Sequence, residues 1–200
     1  EAGQIVAIKG IGGYLLTCDA RQAQVVEKLR QRKHRPTKPL ALMIPDEESL
    51  AQVVELNALE LEALHSPAAP IVLAPILNTD TIAMEQIAPQ LQQIGVMLPY
   101  TPLYELLLTH ITRPIVATRG NPSHAPIAFT EDQAFETLGT IADYFLVNNR
   151  TIALPQDDSV IKFTRLAQQK IILRRSRGYA PTYLAPPMER VTQSVWAAGA

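Results

Sequence analysis

The chain holds a single cysteine, Cys18, in 200 residues. No disulfide can close within it, which suits a reducing compartment. No apolar run approaches the ~18 residues that a membrane-spanning helix requires. The opening residues lack the basic-then-apolar pattern of a secretory leader, so the expectation is a cytoplasmic location without membrane contact. Aromatic residues make up only 6%, and none interleaves with the basic runs as a stacking platform for single-stranded nucleic acid requires. Charge is scarce too, at 18% against the ~25% usual in soluble proteins. Familiar site motifs are missing as well. The four histidines show no metal-ligand spacing and have no second cysteine to join them, which argues against a zinc site. The stretch GIGGY (10–14) has neither GK[ST] nor a full G-x-G-x-x-G, so it reads as a tight turn rather than a P-loop or dinucleotide site. No G-x-S-x-G elbow is present.

What is present fits one domain with one sizeable core, since 47% of the residues are hydrophobic. The formal net charge of −1 conceals a local excess. Residues 28–38 carry Lys28, Arg30, Arg32, Lys33, Arg35 and Lys38, and residues 162–177 carry Lys162, Arg165, Lys170, Arg174, Arg175 and Arg177, with no acid in either segment. These twelve are two thirds of the eighteen Lys and Arg. Such concentration in a nearly neutral chain points to a local anion site rather than a globally cationic binder.

The pattern alternates strands and helices. QIVAIK (4–9), YLLTC (14–18), LALMI (40–44), PIVLAP (70–75), IGVML (94–98), PIVAT (114–118), YFLVN (144–148), SVIKFT (159–164) and KIILR (170–174) read as strands. Asp19, with Gln22 at the capping-box position, predicts a helix to about Lys33 with Ala23, Val26 and Leu29 as its buried stripe and Pro36 ending it. Asp46, Asn57, Thr101 with Pro102, and Thr130 with Gln133 open further helices. The alternation predicts an α/β domain on a mixed sheet.

Three constellations carry chemistry. Lys33-x-Arg35 with Lys38 sits on a loop stiffened by Pro36 and Pro39, which suits fixed donors better than mobile surface charge. Thr118, Arg119 and Asn121, with Ser123, lie in a glycine-containing loop after a buried strand, where polar groups meet ligands. Asp157 and Asp158, followed by Ser159, precede the second basic segment; the two carboxylates either hold Mg²⁺ or offset nearby arginines. Together they suggest a polyphosphate, with Mg²⁺, neutralising the crowded cations.

The stretches KGIGGYLLTCDA, LRQRKHRPTKPLALM, SPAAPIVL, IGVMLPYTPL, DDSV and LRRSRGYAP resemble the YrdC-like domain of the hydrogenase-maturation carbamoyltransferase family (HypF). The likeness spans roughly residues 5–183. It implies a twisted mixed sheet with flanking helices and a concave basic face, over a domain of residues 1–184. Residues 185–200 are then expected to be a linker and the start of a carbamoyl-transfer domain, and the chain a piece of a larger protein. The resemblance implies that carbamate, derived from carbamoyl phosphate, is joined to ATP, giving carbamoyl adenylate and pyrophosphate. The carbamoyl group then passes through the full-length enzyme to a HypE-type acceptor protein, toward the cyanide ligands of a [NiFe] centre. It also implies Lys33 and Arg35 as the catalytic cations, and Lys38, Thr118, Arg119, Asn121, Ser159 and Arg175 as further nucleotide ligands.

The pattern departs from the family at three places. Where relatives read TSGN this chain has Thr118-Arg119-Gly120-Asn121; Asn148 begins the segment where they carry HNRP; and Leu154-Pro155-Gln156 replaces an arginine before DDSV. Arg119, longer than serine and always charged, is expected to fold back onto Asp157 or Asp158, so that a serine there would favour nucleotide binding. Two other readings stand beside this one. Threonylcarbamoyl-AMP synthase-like tRNA modification is disfavoured because GIGGYLLTCDA lacks that family's usual opening. RNA binding, including double-stranded RNA, is disfavoured by the aromatic pattern.

Overall fold

The structure, a computed structural model, describes residues 2–122 and 125–181. Ser123 and the proposed boundary at 184/185 lie outside the described residues. Within them, β1 (Val6–Lys9) and β2 (Tyr14–Asp19) precede α1 (Ala23–Lys33), and β3 (Ala41–Met43) precedes α2 (Glu47–Val53) and α3 (Ala58–His65). Then come β4 (Ile71–Pro75), α4 (Met84–Ile87), β5 (Gln93–Met97), α5 (Pro102–Ile111), β6 (Ile115–Arg119), α6 (Glu131–Leu138), β7 (Tyr144–Leu146), β8 (Val160–Phe163) and β9 (Lys170–Arg174). Nine strands form one mixed sheet in the order β7-β1-β2-β6-β3-β5-β4-β8-β9. The expected α/β class and mixed sheet are therefore present.

Local signals account for most helix starts. Asn57 and Glu60 form a reciprocal capping box on α3, Thr130 and Gln133 do the same on α6, and Thr101 accepts from the Tyr104 N–H with Pro102 in the first turn of α5. Asp19 behaves differently from expectation. It ends β2, and its carboxylate accepts from the Arg21 backbone N–H and from the Arg21 and Arg113 guanidiniums. Helix α1 starts four residues later at Ala23, which is exposed, and its buried face is Val25, Val26, Leu29, Arg30 and Lys33. Left-handed His34, rather than Pro36, terminates it.

The two sheet faces are covered unequally. One carries the main core, with Leu29 of α1, Leu50 of α2, Leu64 of α3, Ile87 of α4 and Leu138 of α6 packed on Leu16, Leu42, Val72, Val96 and Val116. The other is covered by α5, through Tyr104 and Leu108 over Leu15, Met43, Met97 and Ile115. Among the described residues, nothing covers this face beyond α5. The row Ala117, Ala41, Gly95 and Leu73 crosses four neighbouring strands there, and a Cβ on Gly95 would stand 2.8 Å from Ile71 Cγ2.

Candidate functional site

The open part of this face forms a cleft of about 260 Å³. Ala41, Gly95 and Ala117 floor it, Ile71 and Val160 stand at its side, and Arg35, Arg119 and Arg174 rim it. The three arginines come from the loop after α1, the end of β6 and the end of β9. Burial first, and then the charges of Arg30, Arg119 and Arg174, pull the Arg35 pKa below the usual guanidinium value. Like charges held together in a concave site disfavour one another until an anion enters.

The carboxylates facing this rim are already engaged. Asp157 Oδ2 receives Arg119 Nη1 at 2.9 Å and Arg174 Nη1 at 2.9 Å, while its Oδ1 accepts the Asp158 N–H at 3.0 Å. Arg119 does fold back onto Asp157. The second partner, Arg174, was not anticipated, and it changes what serine at 119 would do, because Arg174 would still anchor Asp157 in the cleft. Asp158 pairs with Arg177 Nη2 at 2.9 Å, and that guanidinium also donates to Ala68 O and Ala69 O and stacks 3.7 Å from the Tyr100 ring centroid. Each carboxylate is thus neutralised by arginine, and among the described residues no group of three or more His, Cys, Asp or Glu could hold a metal ion. This donor set does not fit an Mg²⁺ held by the protein alone.

Most of the other cations of residues 28–38 are spent on the fold. Arg30 is 3% exposed; its guanidinium donates to the carbonyls of Arg35 (2.7 Å), Pro36 (3.2 Å), Lys38 (3.1 Å), Ile87 (3.0 Å) and Gln86. It thereby shapes the proline-braced loop and aims Arg35, whose Nη2 donates to Pro39 O at 2.6 Å. Lys28 and Arg32 both hold Asp143. Burial pushes that carboxyl up, but the Ile5 N–H, Arg32 and Lys28 outweigh it and hold it at about 2. Lys38 is exposed.

Lys33 is not among the residues that line the cleft. At 2% exposure, its ammonium donates to Arg119 O (2.6 Å), Asn121 Oδ1 (3.1 Å) and Asn121 O. Burial, then the Arg35 and Arg119 charges, bring its pKa down to about 7. Asn121 Nδ2 donates to Ala125 O at 2.6 Å, so lysine and asparagine together frame the loop after β6. Gly120 is required in that loop: its N–H donates to Tyr14 O at 2.6 Å, and a Cβ there would stand 2.6 Å from that oxygen.

Of the residues expected from sequence, the structure thus brings Arg35, Thr118, Arg119, Asp157 and Asp158 to the cleft. Lys33 and Asn121 are buried and do not line it. Ser159 is fully buried, donating to Arg177 O and accepting the Ser176 N–H, and Arg175 Nε donates to Tyr179 O. Arg174, Arg177 and Arg30 were missed. For Arg30 a signal existed, because positions 26, 29, 30 and 33 share one helix face. Cys18, 5% exposed with its thiol pushed up by burial to about 12, is a small core side chain.

A mixed sheet of nine strands with flanking helices and a guanidinium-rimmed cleft on one face defines an α/β domain. The Sua5/YciO/YrdC family model, described as telomere recombination, matches residues 1–176. The chain belongs to this family. It is 47% identical over 189 residues to carbamoyltransferase HypF of Synechocystis sp., covering 94% of this chain and 24% of that protein. A similar 46% relates it to carbamoyltransferase HypF of Rhodobacter capsulatus, again over 24% of the relative's length. The chain therefore spans about a quarter of these curated relatives. A crystal structure of full-length HypF in a phosphate- and nucleotide-bound form superposes with a TM-score of 0.85 at 44% identity, over 90% of this chain and 28% of that one. E. coli YciO shares the fold, with a TM-score of 0.72 at 14% identity, over 88% of this chain and 87% of that one.

Proposed function

We propose that the cleft binds ATP, as its magnesium complex, and joins carbamate to the α-phosphate as one step of a carbamoyltransferase. The observation that carries this reading is the convergence of Arg35, Arg119 and Arg174, from three separate elements, on one cleft. The nucleotide- and phosphate-bound form of a HypF similar over 90% of this chain supports ATP as the ligand. A carbamate oxygen attacks the α-phosphorus, a new P–O bond forms, and the α–β bridging bond breaks with its electron pair leaving on pyrophosphate. Negative charge grows on the leaving group, and Arg35 and Arg174 are placed to meet it. Metal enters with the nucleotide, since before it arrives Asp157 and Asp158 are held by arginines. Lys33 holds the loop of Arg119 and Asn121, and no nucleophilic side chain is needed.

In the full-length enzyme, carbamate would arise from carbamoyl phosphate and the carbamoyl group would pass to a HypE-type acceptor protein for hydrogenase maturation. The single buried cysteine suits residence in the cytoplasm, and among the described residues no helix is long and apolar enough to cross a membrane. The test is ATP–pyrophosphate exchange by the chain with Mg²⁺, bicarbonate and ammonia, the last two as the carbamate source. Exchange that requires the carbamate source and is lost in Arg35→Ala is expected. Absence of ATP binding by calorimetry would overturn the reading.

A further inference from the structure

Asp157 and Asp158 are neighbours in sequence, yet they hold their arginines differently. The Asp158–Arg177 pair is sealed, with side chains 9% and 10% exposed, and its guanidinium has two carbonyls and the Tyr100 ring besides. The Asp157 pairs are open. Arg119 and Arg174 are 41% and 43% exposed, and both reach the same oxygen, Oδ2. Ion pairs whose guanidiniums are this exposed are weak and exchange readily.

The positions of the two arginines matter as well. In the sheet, β6 and β9 are separated by β3, β5, β4 and β8. Five strand spacings in a flat sheet would come to ~24 Å. That Arg119 and Arg174 nevertheless meet on one carboxylate oxygen means that the sheet curls and that the Arg119–Asp157–Arg174 bridge spans its concave face. The bridge lies over the floor that a ligand would occupy, because Arg119, Asp157 and Arg174 line the same cleft as Gly95 and Ala117.

We propose that Asp157 is a built-in placeholder for phosphate. It keeps the two guanidiniums gathered across the cleft and surrenders them when a polyphosphate arrives. A single carboxylate oxygen serves both arginines, whereas a polyphosphate offers each its own oxygens, with more charge. Asp157 is thus a positioning residue acting through Arg119 and Arg174, and it sets a threshold that favours polyphosphates over singly charged anions. This inference rests on the reading of the cleft as a phosphate site.

The experiment is calorimetric titration of inorganic pyrophosphate into the unaltered chain, Asp157→Asn and Asp157→Ser, with thermal unfolding of each recorded. Asparagine keeps the oxygen that accepts the Asp158 N–H but removes the charge. Both variants should bind pyrophosphate roughly three- to thirtyfold more tightly, which a purely structural role for Asp157 would not produce. Equal or weaker binding by folded variants, with the unaltered chain still binding, would overturn the placeholder and leave the phosphate site standing. No pyrophosphate binding by any of the three would overturn both.

Discussion

Arg30 Nη1 lies 2.7 Å from the carbonyl oxygen of Arg35. One buried cation thereby fixes the backbone that carries another cation into the cleft. The crowding of charge in residues 28–38 is thus answered mostly by main-chain carbonyls and Asp143, and of these cations only Arg35 lines the cleft.

Arg30→Met should therefore act at a distance. It would remove the guanidinium's bonds to five carbonyls, of which only those of Ile87 and Lys38 keep another donor among the described residues, the Leu40 N–H and Arg35 Nε, at a cost of ~3 kcal/mol or more. Thermal unfolding should show that loss. ATP affinity should also fall, although Arg30 does not line the cleft. A variant of unaltered stability would show the carbonyls finding other donors.

Arg35 and Lys33 should separate in mutagenesis. Arg35→Ala removes a charge-assisted hydrogen bond to phosphate worth ~1.5–3 kcal/mol, about a tenfold to hundredfold loss of ATP affinity. Its melting temperature should change little. Lys33→Ala should lower both affinity and melting temperature, because its ammonium holds the loop at 119–121. Equal behaviour of the two variants would argue against the division of roles.

The pH dependence follows from the same lysine. Its pKa of about 7 in the folded chain lies below its ordinary value of 10.5. Between these values the unfolded chain binds the extra proton, so this group makes stability rise with pH across that window. An anion that neutralises Arg35 and Arg119 removes part of what depresses Lys33 and raises its pKa. ATP binding at pH 8 should then take up protons, and affinity should weaken as pH rises above about 7. Calorimetry in buffers of different ionisation heat measures the uptake, which Lys33→Met should abolish.

Arg119→Ser bears on the departure from the family pattern. Serine would remove one guanidinium from the rim while leaving Asp157 on Arg174. Pyrophosphate binding should weaken by roughly three- to tenfold. Tighter binding would mean that Arg119 obstructs the cleft.

The sequence by itself determined the elements and their ends wherever the signal is local. The capping boxes at Asn57 and Thr130 need only residues three apart. It also marked residues 33–38, 118–121 and 157–159 as the places where chemistry gathers. Only the tertiary structure decided which of those side chains face the cleft. Arg174 rather than Arg175 reaches it because the β8–β9 pairing is irregular: Val160 opposes Arg174 while Ile161 opposes Ile172, leaving Leu173 as an extra residue. A bulge of this kind shifts side chains from one face to the other, and simple alternation cannot place it. Lys33 likewise looks like a phosphate ligand in sequence, but the carbonyls that hold it come from residues 119 and 121, more than eighty positions away. A buried ammonium goes where acceptors converge, and that convergence exists only once the strands have paired.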